Sequence, residues 1–232
     1  MVISPLVLLG TVVLILLIIG YVEASNHQRI ISTIPLRIHV NGTRGKSSVT
    51  RLIAAGLRAG GLRTFAKTTG TAPRIIDAEG KDRLIHRLRS ASIGEQIKLM
   101  RYFAKEKPDV VVMECMAVQP EYQWISEQKM IKSHIGVITN ARPDHLEEMG
   151  PTLDDVKKSL SNSVPYNGKV VLGEAAMINT IAPVAEYRKS ELRIADGKKI
   201  SEKDLADFSY LEHHQNVAVA LDVCSAAGVK ED

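Results

Sequence analysis

The chain has 232 residues, 45% hydrophobic, 24% charged and 4% aromatic, with a formal net charge of +4. That composition excludes wholesale disorder and collagen-like or mucin-like repeats, and the length allows one sizeable domain with a real core. Two distant cysteines, Cys115 and Cys224, make no disulfide framework and fit a reducing, cytosolic compartment.

Met1–Val22 carries no charged side chain. As a helix it would rise about 33 Å, enough for a hydrocarbon core of about 30 Å. A cleaved signal peptide and a buried core helix are the competing readings. No Lys or Arg precedes the apolar run, and Ala24-Ser25-Asn26 is a poor cleavage site, which argues against the first. A run of this length without a polar face argues against the second. After Glu23 no acid occurs before Asp77, while Arg29, Arg37, Arg44, Lys46, Arg51, Arg58, Arg63, Lys67 and Arg74 fall in between. A basic flank stays on the cytoplasmic side. The expectation is a single-pass anchor over 1–22, a juxtamembrane linker over 23–35, and a cytoplasmic domain over 36–232. The concentrated positive charge suits polyphosphate, an anionic substrate or an anionic leaflet.

Leu36–Asn41 reads as a strand, and a glycine turn, Gly42 to Gly45, follows it. Val49, Leu52, Ile53 and Leu57 give Ser47–Ala59 a helical period, stopped by Gly60-Gly61. Leu62–Thr68 is the next strand and Ser92–Lys105 an amphipathic helix. Asp109–Cys115 and His134–Asn140 are apolar runs typical of strands buried on both faces. Helices are expected over 117–131, 153–160 and 216–226, and a strand over 169–172. Helix and strand alternate, so the fold class is α/β, a mostly parallel sheet flanked by helices.

Gly42-Thr43-Arg44-Gly45-Lys46-Ser47-Ser48 lies between strand and helix, the context a phosphate loop needs. Glycines let several backbone N–H groups converge on one anion, and the helix N-terminus adds its dipole. Lys46 would neutralise β/γ-phosphate charge, and the Ser47 hydroxyl would reach Mg2+. The pattern GxxxxGK[ST] fails at Val40; the shorter G-T-x-G-K-[ST] fits fully. Glu114 ends a buried strand, where a carboxylate either holds Mg2+ or is a satisfied strand-end acid. Thr139-Asn-Ala-Arg-Pro-Asp-His145 follows the next inner strand, giving a metal or phosphate site on the same edge.

These residues together resemble the Mur-type amide ligases: Gly42–Ser47, Glu114, and Asn140 with Asp144-His145. Asn216 in Asn-Val-Ala-Val-Ala-Leu is similar to the family's later asparagine near the adenine. The resemblance covers residues 36 to 226. It runs closest to the ligase subunits of poly-γ-glutamate synthases, through the N-terminal segment, Lys67–Arg74 and Asp144–Gly150. Folylpolyglutamate synthases share the Asp-His-Leu run.

The resemblance implies a P-loop-containing domain like the Mur ligase central domain. The implied enzyme is an ATP- and Mg2+-dependent γ-glutamyl ligase working through an acyl phosphate. Lys46, Glu114 and His145 would be catalytic. Ser47 and Glu114 would hold one Mg2+ and His145 a second. Asn140 and Asp144 would orient their loop, and Thr69, Gly70, Thr71 and Arg74 would line the phosphate and acceptor side. Partners would be glutamate, growing poly-γ-glutamate, the bacterial cell membrane and integral-membrane synthase or export subunits, with no nucleic acid.

Three departures stand out. Leu160 occupies the position of a carbamylated lysine, with Lys157 and Lys158 on other helix faces; His213 replaces an asparagine; and the C-terminal domain of such ligases is expected to be missing. Two other functions stay open. One is a non-catalytic, membrane-tethered ATP-binding subunit. The other is a Mur or folylpolyglutamate-type ligase with another acceptor.

Overall fold

The structure, a computed structural model, describes residues 4–70, 72–86, 92–206, 208 and 212–230. Helix α1 spans Pro5–Ile31. Strand β1 (Leu36–Asn41) leads into α2 (Lys46–Ala59), then β2 (Thr64–Thr68). A short hairpin, β3 (Arg74–Ile76) and β4 (Asp82–Leu84), precedes α3 (Glu95–Lys105). Then come β5 (Val110–Glu114), α4 (Pro120–Ile125), a π-helical turn (Ser126–Ile131) and β6 (Ile135–Ile138). Helices α5 (Leu146–Met149) and α6 (Leu153–Ser161) lead to β7 (Lys169–Leu172), α7 (Ile178–Tyr187) and β8 (Glu191–Ile194). Helices α8 (Glu202–Leu205) and α9 (His214–Ala226) follow.

The eight strands form one sheet in the order β4-β3-β2-β5-β1-β6-β7-β8. The six strands from β2 to β8 run parallel, and β3 and β4 continue the sheet antiparallel. Alternation along the strands explains the double burial. Ile38, Val40, Val110, Val112, Ile135 and Val137 face α2 and α9. Val111 and Met113 face α1, α3 and the π turn. Ile138, Val170 and Leu172 face α6 and α7. Side chains on both faces must therefore be apolar, which is why these strands read as continuous runs.

Three differences from the sequence reading have physical causes. The expected linker is helical as far as Ile31, because side chains clamp it to the domain. His27 Nε2 meets the Met130 carbonyl at 2.7 Å, and Gln28 donates to the Lys129 carbonyl at 2.9 Å. The Arg37 guanidinium donates to the carbonyls of Ile31 and Ile34, 2.8 Å each. The β3–β4 hairpin has no strand signature in the sequence because its short strands carry Arg74, Asp82 and Arg83 rather than an apolar run. Helix α7 holds Pro183 inside it, a residue that normally argues against a helix interior.

Helices α1 and α3 lie side by side in the same direction. Gly20–Gln28 faces Gly94–Arg101, and Arg29–Thr33 faces Arg101–Lys105. The start of α3 sits at the carboxyl end of β2, where Lys67 meets Glu95 at 3.5 Å. The exposed apolar half of α1, long and apolar enough to cross a membrane, thus leaves the domain on the side of the strand carboxyl ends.

Candidate active site

From β1 the chain moves to β2 and β5 on one side of the sheet, then to β6 on the other. Such a reversal opens a crevice at the strand carboxyl ends. The glycine loop between β1 and α2 occupies it. Gly42 has φ +130° and Gly45 has φ +77°, conformations that L side chains rarely adopt. Gly42 also has no room: a Cβ there would lie 2.1 Å from Thr139 Oγ1.

The loop is held from both sides. The buried Asn41 side chain accepts from the Gly42 N–H at 2.8 Å. It donates to Gln123 Oε1 at 2.8 Å and Ser163 Oγ at 2.6 Å. Beyond β6, Asn140 Oδ1 accepts from Thr43 Oγ1 at 2.7 Å and from the Arg44 N–H at 3.0 Å. Asn140 Nδ2 and Thr139 Oγ1 both donate to the Arg44 carbonyl, at 3.0 and 2.7 Å. Lys46 opens α2, and its ammonium rests on the Gly42 and Thr43 carbonyls at 2.7 and 3.3 Å. Ser47 and Ser48 occupy the same first turn. A helix N-terminus, a glycine loop and a lysine at one point are an arrangement able to hold an anion.

Glu114, 2% exposed, is the hub opposite the loop. It accepts from Ser47 Oγ at 2.8 Å, from the Thr69 N–H at 2.7 Å and from the Thr69 hydroxyl. One carboxylate and two hydroxyls are hard oxygen donors, the chemistry that suits Mg2+ with phosphate and water completing its shell. Among the described residues no group of three or more His, Cys, Asp or Glu gathers for a metal. A cation at Glu114 would therefore depend on hydroxyl, water and phosphate ligands.

A cavity of about 270 Å³ lies beside the loop, lined by Gly42, Lys46, Thr69, Gly70, His145 and Cys115–Val118 among others. His145 has φ +51° and is half exposed, with Nδ1 3.9 Å from Glu148. Asp144 pairs with Arg44 at 3.3 Å, which fixes the loop's outer edge.

Arg74 and Asn216 do not line that cavity. The Arg74 guanidinium faces Asp82 at 3.4 Å, and Arg51 shares that carboxylate at 2.8 Å. Thr71 lies outside the described residues. Asn216 packs behind Gly45, its Oδ1 3.0 Å from where a Cβ would stand, and donates to Glu212 at 2.7 Å. The backbone N–H of His213 also bonds Glu212, at 2.9 Å. Leu160 is fully buried in the α6–α7 core; Lys157 pairs with Asp154 at 3.0 Å, and Lys158 lies 3.9 Å from Asp155.

Sequence reasoning missed several supporting groups. Asn41 and Thr139 grip the loop. The Arg142 N–H donates to Thr43 Oγ1 at 2.9 Å, while its guanidinium pairs with Glu174. Hydrogen bonding to Glu174 holds Arg142 above its ordinary range. Thr139 and Arg142 fall inside the Thr139–His145 run, so that run was the available signal. Beneath the loop, His39 and Glu127 form a fully buried pair at 2.8 Å. Burial opposes the charged imidazole, but Cys115 and Glu127 outweigh it and push His39 up to about 9.

The Mur ligase middle domain model matches residues 40–225. The capsule biosynthesis protein CapB of Bacillus anthracis is 38% identical over 232 residues, covering 99% of this chain and 50% of that protein. The PGA synthase CapB of Bacillus subtilis (strain 168) is 37% identical over 220 residues, covering 94% of this chain and 56% of that protein. The chain spans about half the length of these curated relatives. Among solved structures, E. coli FolC in complex with ADP aligns with TM-score 0.65 and 18% identity, over 90% of this chain and 57% of that one. A bifunctional folylpolyglutamate synthase/dihydrofolate synthase with Mn, AMPPNP and L-glutamate bound aligns with TM-score 0.63 and 19% identity, over 90% and 58%. At such identities these structures establish a common fold. With the family match extending from β1 into α9, the chain belongs to the Mur ligase middle-domain family.

Proposed function

We propose that this chain is the nucleotide-binding part of an ATP-dependent γ-glutamyl ligase that makes poly-γ-glutamate at a membrane. The observation that carries the reaction class is the glycine loop, with Lys46 at its end lining a cavity and the adjacent Ser47 hydrogen-bonded to the buried Glu114. The identities with the capsule protein and the PGA synthase support glutamate as the monomer and poly-γ-glutamate as the product.

The chemistry follows from charge. A carboxylate is a poor electrophile until its oxygen becomes a leaving group. Loop amides and the Lys46 ammonium would hold the β- and γ-phosphates of ATP, with Lys46 exchanging the Gly42 and Thr43 carbonyls for phosphate oxygens. Bound Mg2+, held at Ser47 and Glu114 with His145 as the candidate for a second ion, would neutralise phosphate charge. An oxygen of the γ-carboxylate attacks the γ-phosphorus and ADP leaves. The α-amine of the next glutamate attacks the acyl carbon, phosphate departs with that oxygen, and the amine's surplus proton passes to the phosphate or to water. Asn140, Asp144 and Thr69 would act as positioning residues. Asn216, behind Gly45, would approach the base. The role of Arg74 is the acceptor side, which requires its release from Asp82.

The apolar half of α1 would span the bacterial membrane once, with the basic flank and domain in the cytoplasm. Its departure on the side of the crevice fits a polymer made close to the bilayer and passed to membrane export subunits. The test is phosphate release from ATP and Mg2+ with the chain in vesicles. Glutamate should stimulate it and Lys46→Ala should abolish it. Stimulation by a different amino acid and not by glutamate would overturn the acceptor.

A further inference from the structure

A second cavity, about 600 Å³, lies where α1 leaves the domain, between α1, α3 and the π turn. Gly20, Glu23 and His27 of α1 face Lys98 and Arg101 of α3 and Lys132 beyond the π turn. One acid is thus set against three cations, and among the described residues these cations form no ion pair. Lys129, also at the rim, lies over the Trp124 ring at 5.2 Å.

Two nitrogens in this cavity wall are buried without a hydrogen-bond partner, His27 Nδ1 and Arg101 Nε. His27 is 4% exposed, and its Nε2 is fixed on the Met130 carbonyl, so the ring cannot turn to satisfy Nδ1 elsewhere. Burial, together with the positive charges of Arg101 and Lys132, holds this imidazole below its usual range. With Nε2 donating to the Met130 carbonyl, Nδ1 of the neutral ring can only accept, so the orphan that seeks an anion is the Arg101 Nε–H, a buried donor among converging cations.

The location selects the anion. Val22 ends the uncharged, exposed stretch of α1, and His27 follows about 8 Å further along the helix axis. That is the depth of a headgroup layer beside a spanning helix. Ala24, Ile97 and Met130 give the cavity an apolar side for the glycerol and ester groups. We propose that this cavity binds the headgroup of an anionic glycerophospholipid. The diester phosphate accepts from Arg101 and the flanking lysines. The inference rests on the reading of α1 as a membrane span.

The experiment uses the full chain in vesicles of phosphatidylcholine with or without phosphatidylglycerol, followed by native mass spectrometry of retained lipid. Phosphatidylglycerol should be retained in preference to phosphatidylcholine. Each of Lys98→Gln and Lys132→Gln should weaken that retention about fivefold. Lys198→Gln with Lys199→Gln, far from the cavity, should not. Arg101→Gln should weaken it further; should that variant fail to fold, the two lysine variants still decide the matter. Equal retention of the two lipids, or a preference that survives the lysine variants, overturns the proposal. Displacement by equimolar inorganic phosphate would reassign the cavity to a free anion, and displacement by poly-γ-glutamate would reassign it to product; either overturns the lipid. Failure to enter vesicles of either composition would remove the membrane reading itself. Entry without lipid preference would remove only this proposal.

Discussion

Gly42→Ala is the sharpest perturbation of the glycine loop. The new Cβ would stand 2.1 Å from Thr139 Oγ1 and 3.0 Å from the Thr139 N, at a φ of +130° that only glycine adopts readily. The conformational penalty is about 1–3 kcal/mol, and forcing β6 away from the loop adds about 1–3 kcal/mol. A total of about 3 kcal/mol corresponds to a fall in Tm of about 6–12 °C for a domain of this size. Gly45→Ala is the internal control. Its φ is +77°, but its Cβ would meet only the tip of the Asn216 side chain at 3.0 Å, so a cost of about 1 kcal/mol is expected. Thermal unfolding and titration with AMPPNP and Mg2+ measure both variants. Gly42→Ala should lose nucleotide binding and Gly45→Ala should weaken it. Thr139→Ala in the Gly42→Ala background should recover part of the Tm by removing the nearer clash. A Gly42→Ala protein with unchanged Tm and binding, or one milder than Gly45→Ala, would refute the packing argument.

Asn140→Ala removes the bonds to Thr43 and to both polar groups of Arg44. It should cost about 1–3 kcal/mol and weaken AMPPNP at least about tenfold by calorimetry. Asn140→Asp keeps the acceptors and should fall in between. His39 titrates at about 9 in the fold, against 6.5 for a histidine free in water. Because the folded value is the higher one, this contribution is complete below pH 6.5 and fades as pH rises through 9. It is worth about 3 kcal/mol. Tm should therefore decline between those pH values, and Cys115→Ala should flatten the slope more than Glu127→Gln. Bicarbonate should not stimulate the proposed ligase activity, since Leu160 stands in the core where a carbamylated lysine would be needed. Rescue of activity by added carbon dioxide would contradict this.

The parts of the site legible in the sequence were those built from neighbouring residues. Strand, glycines, Lys46-Ser47 and helix are contiguous, and Glu114 ends an unbroken apolar run. The braces were not legible because they join distant positions. Asn41 meets Gln123 and Ser163, and His39 meets Glu127, with no local pattern to announce either pair. The 23–35 segment looked like a linker because its helicity depends on docking through His27, Gln28 and Ile31, not on propensity. The family resemblance sets Arg74 with Thr69 on the acceptor side, while the antiparallel hairpin brings Asp82 to its guanidinium.

Activation of a glutamate carboxylate by phosphoryl transfer at the crevice beside Lys46 moves one carboxylate oxygen onto phosphate. Its most direct test is to supply glutamate labelled with heavy oxygen in its γ-carboxylate, with ATP and Mg2+, and to weigh the phosphate released. The acyl-phosphate route predicts one labelled oxygen in each phosphate for every γ-glutamyl bond formed, and none with Lys46→Ala. Amide formation accompanied by unlabelled phosphate would contradict it.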